Sequence, residues 1–228
     1  MFKVNPVDSN QLGVHPNLIK FVSKQQKKHF SKPFSEHTNL AFEYFSDAIS
    51  GFEGEVILDA CCGVGESTLY LSKAYPDCLV VGIDRSAARL DKNPYYNQYK
   101  LRNHARSPEK SGNTLFVRAN LVDFWRLLSA SEFARRIKKQ YILYPNPYPK
   151  KAQLGKRWYA SPVMKDIVSI CKKIECRSNW SIYLEEFQRA LSVYDIPSEI
   201  SRIDSQPITP FERKYQAAGQ ACWKLITL

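Results

Sequence analysis

Apolar runs alternate with amphipathic stretches along most of the chain. The runs within residues 56–60, 78–84, 114–120 and 141–143 are nearly continuous, which is typical of parallel strands buried on both faces. Apolar positions at helical spacing lie between these runs, and two alternating segments, 199–203 and 221–228, follow near the C-terminus. The pattern predicts a doubly wound α/β domain whose mostly parallel sheet ends in an antiparallel C-terminal edge.

The α/β pattern occupies residues 51–228, and residues 1–50 precede it as a predicted helical N-terminal arm. Within this arm Phe42, Phe45 and Ile49 recur at helical spacing. We therefore expect two regions, an arm and a single α/β domain with one sizeable core.

A glycine turn follows the first predicted strand. Asp59 precedes Gly63 and Gly65, a helix follows, and the second strand ends in Asp84. This is the layout of a nucleotide-binding βαβ unit, in which the acid bonds ribose hydroxyls. The third glycine of dinucleotide-binding proteins is absent, and the Asp59 carboxylate would repel a pyrophosphate but attract a cation. S-adenosylmethionine, which carries an ammonium, a sulfonium and a ribose, suits these residues; a tight turn without a ligand is the alternative.

The fourth predicted strand runs into three prolines at alternate positions. Because each proline restricts the residue before it, we expect Tyr144, Asn146 and Tyr148 to be extended. The segment then presents an amide, an aromatic ring and the ammonium groups of Lys150 and Lys151. An amide reads base edges, a ring stacks on bases and lysines bind phosphates, so the segment suits a nucleotide within a nucleic acid. The alternative is a proline-rich loop that only leaves the sheet.

The net charge of +11 over 228 residues favours a polyanionic partner. Basic residues cluster at 24–32, 135–139, 150–157 and 172–177, and two of these clusters flank the proline segment. No apolar run is long enough to span a membrane, and the first residues lack the apolar core of a signal peptide. The six cysteines show no metal-binding spacing. We expect a cytoplasmic protein with reduced thiols, no metal and no membrane partner.

The motifs resemble those of the bacterial-type tRNA (guanine-N7)-methyltransferases. The family's Pro-Asp-Pro-Trp-Pro-Lys-Lys stands here as residues 145–151, Pro-Asn-Pro-Tyr-Pro-Lys-Lys, with Lys156 and Arg157 as the later basic pair. The family's Thr-Asp-x-x-x-Tyr is similar to residues 178–183, and its Thr-x-Phe-Glu-x-Lys is similar to residues 209–214. The resemblance covers residues 53–228. It implies a class I S-adenosylmethionine-dependent, Rossmann-like methyltransferase domain that methylates N7 of a guanine in tRNA.

The resemblance and the motifs together assign three sets of site residues. The cofactor-binding candidates are Asp59, Cys61, Gly63, Gly65, Asp84, Arg85, Asn120 and Asn146. The catalytic candidates are Asn146, Asn179 and Glu212. The substrate-binding candidates are Tyr148, Lys150, Lys151, Lys156, Arg157, Asn179, Thr209, Glu212 and Arg213. The predicted partner is tRNA or another structured RNA, and the sequence allows a monomer or a homodimer.

The sequence departs from the family pattern at the reacting centre. Two family aspartates are replaced by Asn146 and Asn179, and Ala152-Gln153 stands where the family has Arg-His. An Asn-Pro turn also resembles the Asn-Pro-Pro-aromatic motif of amino methyltransferases. Two alternatives therefore stay open: another acceptor, such as an exocyclic amine or a small molecule, or a catalytically weak relative that binds RNA. For Thr209 and Glu212, the alternative to guanine binding is a helix-capping box.

Overall fold

The computed structural model describes residues 5–96 and 112–228, which alternate between strands and helices as the sequence pattern predicts. The strands are β1 Val56–Ala60, β2 Leu79–Asp84, β3 Thr114–Arg118, β4 Ile137–Leu143, β5 Ile174–Ser178, β6 Ser198–Arg202 and β7 Trp223–Thr227. The α-helices are α1 Leu18–Gln26, α2 Glu36–Ser50, α3 Glu66–Ala74, α4 Ala87–Leu90, α5 Leu121–Ser129, α6 Met164–Ile170, α7 Ser181–Ser192 and α8 Pro210–Ala217. Short 3-10 helices span Glu132–Arg136, Lys151–Lys156 and Trp158–Ala160.

The strands follow the order β3-β2-β1-β4-β5-β7-β6 in one sheet. β1 pairs with β2 and β2 with β3 in parallel, whereas β7 runs antiparallel to both β5 and β6. Every residue of β1 is buried, because helices cover both faces of a parallel sheet. The predicted doubly wound class, with its antiparallel C-terminal edge, is therefore confirmed.

The chain divides into two compact units. The central unit comprises Pro33–Tyr141. In it the rings of Phe42 and Phe45 pack edge-on against Phe124, with ring centres 5.4 and 5.1 Å away. Arg136, one of the basic residues noted above, donates to the carbonyls of Ile49, Phe52 and Gly54 near the end of α2. This arginine therefore has a structural role, and the excess of positive charge is not entirely a binding surface.

The C-terminal unit comprises Met1–Lys32 together with Ile142–Leu228. Leu18 and Val22 on α1 are buried, and α1 packs against α7. The predicted arm thus has two parts: its residues up to Lys32 belong to this unit, and α2 belongs to the central unit. Each part packs into its own unit through its own apolar side chains. Among the described residues no helix is both long and apolar enough to cross a membrane.

Candidate functional site

The glycine turn of the central unit has three residues in the left-handed region of backbone space. The φ angles are 65° at Cys61, 62° at Gly63 and 81° at Gly65. Asp84, at the end of β2, stabilises this turn because its Oδ2 accepts from the Gly63 amide at 3.0 Å. Its Oδ1 accepts from the Ser86 amide at 2.8 Å. The turn and the acid predicted to bind one ligand therefore lie together.

The two glycines of the turn serve different purposes. A β-carbon on Gly65 would lie 2.2 Å from Asn93 Nδ2 and 2.5 Å from Phe116 Cε1, so this position is closed by packing. Around the corresponding position of Gly63, no described heavy atom beyond its chain neighbours lies within 4 Å. Among the described residues, the backbone is therefore open to close approach at Gly63 and not at Gly65. Asn93, which the sequence analysis missed, fixes the turn by donating to the Val64 carbonyl at 2.9 Å.

Asp59 is a fully buried carboxylate at the end of β1. Its Oδ2 accepts from Ser67 Oγ at 2.6 Å and from Thr68 Oγ1 at 2.7 Å. Among the described residues its Oδ1 has no hydrogen-bond partner. Burial raises the pKa of Asp59 to about 6, and the two hydroxyl donors oppose this shift. A buried carboxylate with a spare oxygen, beside an open glycine turn, fits a ligand with positive charge and hydroxyl groups, as S-adenosylmethionine has.

Replacing Asp59 by asparagine should raise the melting temperature of the ligand-free protein near neutral pH. Because the pKa of Asp59 in the folded protein, about 6, lies above its ordinary 3.8, the folded state favours the protonated carboxyl. This stabilisation is complete below about pH 4 and is lost as the pH rises through about 6. The difference in melting temperature between variant and wild type should therefore grow across this range, while the affinity for the cofactor falls. The exposed Asp77→Asn is the control, and a difference independent of pH would contradict the assignment.

Three other cofactor candidates are Cys61, Arg85 and Asn120. Burial raises the pKa of the Cys61 thiol, so it remains protonated and offers the site its backbone rather than a nucleophile. Arg85 is exposed. Asn120 is the N-cap of α5, where its Oδ1 accepts from the amides of Val122 at 3.0 Å and Asp123 at 3.4 Å. This cap uses the amide oxygen, which leaves Nδ2 as the group compatible with the predicted contact to the cofactor.

The proline loop, residues 144–151, lies in the C-terminal unit, and its backbone differs from the prediction. Tyr144 and Tyr148 are left-handed, with φ of 51° and 45°, so the extended geometry predicted for them is wrong. A following proline disfavours the right-handed helical region, and local contacts decide among the rest. Tyr144 donates its amide to the Arg177 carbonyl at 2.9 Å, and Tyr148 donates its amide to Asn146 Oδ1 at 3.3 Å. Such geometry costs about 1–3 kcal/mol per bulky residue and persists only where neighbours enforce it.

The structure does not support the predicted substrate-binding role of Arg157. Its side chain is fully buried and paired with the equally buried Glu186. The guanidinium also donates to the Tyr148 carbonyl at 3.0 Å and to Gln11 Oε1 at 3.0 Å. Its donors are therefore satisfied within the protein, and none is presented to a ligand.

The remaining basic candidates are on the surface. Lys150, Lys151, Lys156 and Arg213 are exposed, as is Asn146. The Lys156 ammonium lies 5.9 Å from the centre of the half-buried Tyr148 ring. The proline loop thus presents an amide, an aromatic ring and cations in one stretch of chain, which is the set that single-stranded nucleotides require.

Glu212 and Thr209 are engaged in structural contacts. Thr209 Oγ1 accepts from the Glu212 amide at 3.0 Å and caps α8, as the capping alternative predicts. The two carboxylate oxygens of Glu212 accept from Arg177 Nη1 at 3.0 and 3.2 Å, and the residue is buried. In this arrangement Glu212 does not offer a free edge to guanine, so its predicted contact with the base is not supported. Asn179 is half-buried and donates to Gln220 Oε1 at 3.1 Å.

Residues 53–225 match the model of a protein family described as "Putative methyltransferase". The chain belongs to this methyltransferase family. A tRNA (guanine-N(7)-)-methyltransferase of Legionella pneumophila is 22% identical to it over 193 residues, which are 80% of each chain. One of Brugia malayi is 32% identical over 116 residues, which cover 49% of this methyltransferase and 40% of the relative.

Solved structures agree with the fold of this methyltransferase. A 16S rRNA (adenine(1408)-N(1))-methyltransferase from Catenulisporales acidiphilia, solved with S-adenosylmethionine, superposes with a TM-score of 0.51 at 15% identity. The match covers 89% of this chain and 93% of the other. The predicted class I S-adenosylmethionine-dependent methyltransferase fold is confirmed.

Proposed function

We propose that this methyltransferase transfers a methyl group from S-adenosylmethionine to N7 of a guanine in tRNA. The observation that carries the cofactor half is the open turn at Gly63, which follows the buried carboxylate of Asp59 in the chain and whose amide donates to the buried carboxylate of Asp84. The two tRNA methyltransferase relatives, and the amide, aromatic and ammonium groups that the proline loop presents, support the acceptor half. Incubation with labelled cofactor and bulk tRNA, followed by nucleoside analysis, tests the proposal.

Methyl transfer to guanine N7 needs few catalytic groups from the protein. Guanine N7 carries a lone pair that is not protonated at neutral pH, so no general base is needed. When bound, S-adenosylmethionine supplies an electrophilic methyl group. The chain's own residues would bind the ribose and the cationic portion through Asp84 and Asp59, hold the base through Asn146 and Tyr148, and anchor the RNA. Catalysis is then mainly positioning, which can lower a barrier by about 7–11 kcal/mol.

Phosphate contacts by the lysines should make tRNA binding depend on salt. Lys150→Ala with Lys151→Ala should weaken the affinity at low salt and reduce the slope of log affinity against log salt by roughly 1–2 units. Lys73→Ala with Lys92→Ala, at two exposed lysines of the central unit, removes the same charge and is the control. Equal slopes for both double variants would exclude the proline loop as the RNA-binding element.

The asparagines define a second prediction. Asn146→Asp with Asn179→Asp restores the carboxylates of the related family and keeps the oxygen at position 146 that accepts from the Tyr148 amide. If these amides only weaken an inherited activity on guanine, formation of 7-methylguanosine should rise about tenfold, equivalent to about 1.4 kcal/mol. The exposed Asn17→Asp is the control. A decrease in methyl transfer would show that the amide donors are needed.

The exposed amide of Asn146, in an Asn-Pro turn, favours one second candidate, methyl transfer to an exocyclic amine. There the amide oxygen would accept from the NH2 group while the Tyr148 ring stacks on the base. Nucleoside analysis distinguishes the two candidates directly, because an N-methylated amine and 7-methylguanosine are different products. For either acceptor we propose a cytoplasmic enzyme, since all six cysteines are free thiols.

A further inference from the structure

Glu186 is a buried carboxylate that joins three parts of the C-terminal unit. Its Oε1 accepts from Gln11 Nε2 at 2.6 Å and from the His15 amide at 2.7 Å. Its Oε2 accepts from Arg157 and from the Tyr159 hydroxyl. With four donors on two oxygens, the carboxylate is fully satisfied, which is the condition under which a buried charge is tolerated.

Arg157 extends this network to the proline loop. Its Nε and Nη2 donate to the Tyr148 carbonyl at 3.2 and 3.0 Å, and Nη2 also lies 3.4 Å from the Lys150 carbonyl. Tyr148 is one of the two left-handed tyrosines of the loop, and a bulky residue adopts this conformation only when its surroundings enforce it. Glu186 orients Arg157, and Arg157 holds the strained part of the loop.

Side chains of the N-terminal segment also bond the backbone of this loop. Ser9 Oγ donates to the Pro149 carbonyl at 2.7 Å, and Asn10 Oδ1 accepts from the Lys151 amide at 2.9 Å. Gln11, the next residue, bonds both Glu186 and Arg157. Three consecutive residues of a segment distant in sequence therefore contact the proline loop or the pair that holds it.

We propose that residues 9–11 and the Arg157–Glu186 pair are positioning residues that fix the proline loop in the geometry required for methyl transfer. This inference rests on the proposed function, because Asn146, Tyr148, Lys150 and Lys151 belong to that loop. None of these positioning residues is proposed to contact the acceptor. They act through the loop backbone, where a displacement of about 1 Å can reduce the rate about a hundredfold.

Ser9 and Asn10 allow this role to be tested without disturbing the core, since Ser9 is half-buried and Asn10 exposed. The double variant Ser9→Ala with Asn10→Ala should speed hydrogen exchange of the Lys151 amide and lower kcat on tRNA, each about tenfold. Its melting temperature and affinity for S-adenosylmethionine should match those of Leu12→Ala, at a fully exposed neighbour. Ser9→Thr with Asn10→Asp, which keeps the hydroxyl donor and the acceptor oxygen, should restore both slow exchange and kcat.

The outcomes separate this inference from the proposed function. Exchange is measured on the protein alone, so unchanged exchange in the alanine variant overturns the inference whatever the substrate is. Faster exchange with unchanged kcat also overturns it. A loss of kcat together with a lower melting temperature and a weaker cofactor affinity than in Leu12→Ala overturns it as well, because the variant would then be damaged generally. A wild-type protein that binds cofactor but methylates no tRNA overturns the proposed function instead.

Discussion

Glu186→Ala is expected to lower the free energy of unfolding by about 3–5 kcal/mol, because it leaves the Arg157 guanidinium buried without its counter-charge. Both side chains are fully buried, and the carboxylate also accepts hydrogen bonds from the Gln11 side chain and the His15 amide. Urea unfolding of the purified variant measures the change. The effect should exceed that of most substitutions in the chain, since few mechanisms cost as much as an unpaired buried charge.

The adjacent residue provides a matched control for this experiment. Glu185→Ala removes the same side chain from the same helix at a position that is only half-buried, and it should change the stability by less than about 1 kcal/mol. Replacing Arg157 and Glu186 together by methionine should recover much of the loss, because two apolar side chains of similar size leave no charge behind. Equal effects at Glu185 and Glu186 would contradict the role assigned to the network.

Asp84→Asn is expected to reduce the affinity for S-adenosylmethionine about tenfold to a hundredfold, since hydrogen bonds to a charged group contribute about 1.5–3 kcal/mol. The carboxylate is nearly fully buried and accepts from Gly63 and Ser86, so its removal affects both the ribose acceptor and the shape of the turn. Titration calorimetry with the cofactor and with its demethylated product measures the loss. Asp47→Asn, at an exposed site on α2, should bind as the wild type does.

A wild-type protein that gives neither heat nor a thermal shift with either ligand would contradict the cofactor site altogether. An Asp84→Asn variant that binds normally would show instead that this carboxylate only stabilises the turn. The first result tests whether the cofactor binds at the open turn of Gly63 at all. The second tests only whether one side chain, the Asp84 carboxylate, contributes to that binding.

The features that follow from repeated local patterns could be predicted from the sequence. Continuous apolar runs in β1 and β2 require burial on both faces, and an alternating C-terminal pair requires an antiparallel edge, so the sheet was predictable. The glycine turn was also predictable, because Gly63 and Gly65 need left-handed backbone angles that other residues rarely adopt. These conclusions depend on each segment alone.

The features that depend on distant partners could not be predicted in the same way. Lys156 and Arg157 are equally basic in the sequence, yet only Arg157 meets a buried carboxylate, supplied by Glu186 from a helix further along the chain. One signal was available: Glu186 lies on the apolar face of α7, three residues after the buried Tyr183 and four before the buried Ala190. A charged residue on an apolar face indicates a buried partner, although it does not say which one.

The left-handed tyrosines illustrate the same limit. The prolines restrict Tyr144 and Tyr148, but the choice between the remaining conformations is made by contacts with Arg177 and Arg157. Asn120 caps a helix and Glu212 pairs with Arg177, so these polar side chains also have structural partners, which compete with a ligand. A motif identifies residues with suitable chemistry, and the fold decides which of them are presented to a substrate.

Methylation of guanine N7 is tested most directly by methyl transfer to tRNA from S-adenosylmethionine that carries a trideuteriomethyl group. After digestion of the RNA to nucleosides, mass spectrometry separates the newly added label from methyl groups already present, and Asp84→Asn serves as the matched low-affinity control. We expect labelled 7-methylguanosine with the wild-type protein and much less with the variant. Labelled product on an exocyclic amine alone, or no labelled nucleoside from a protein shown to bind the cofactor, would contradict it.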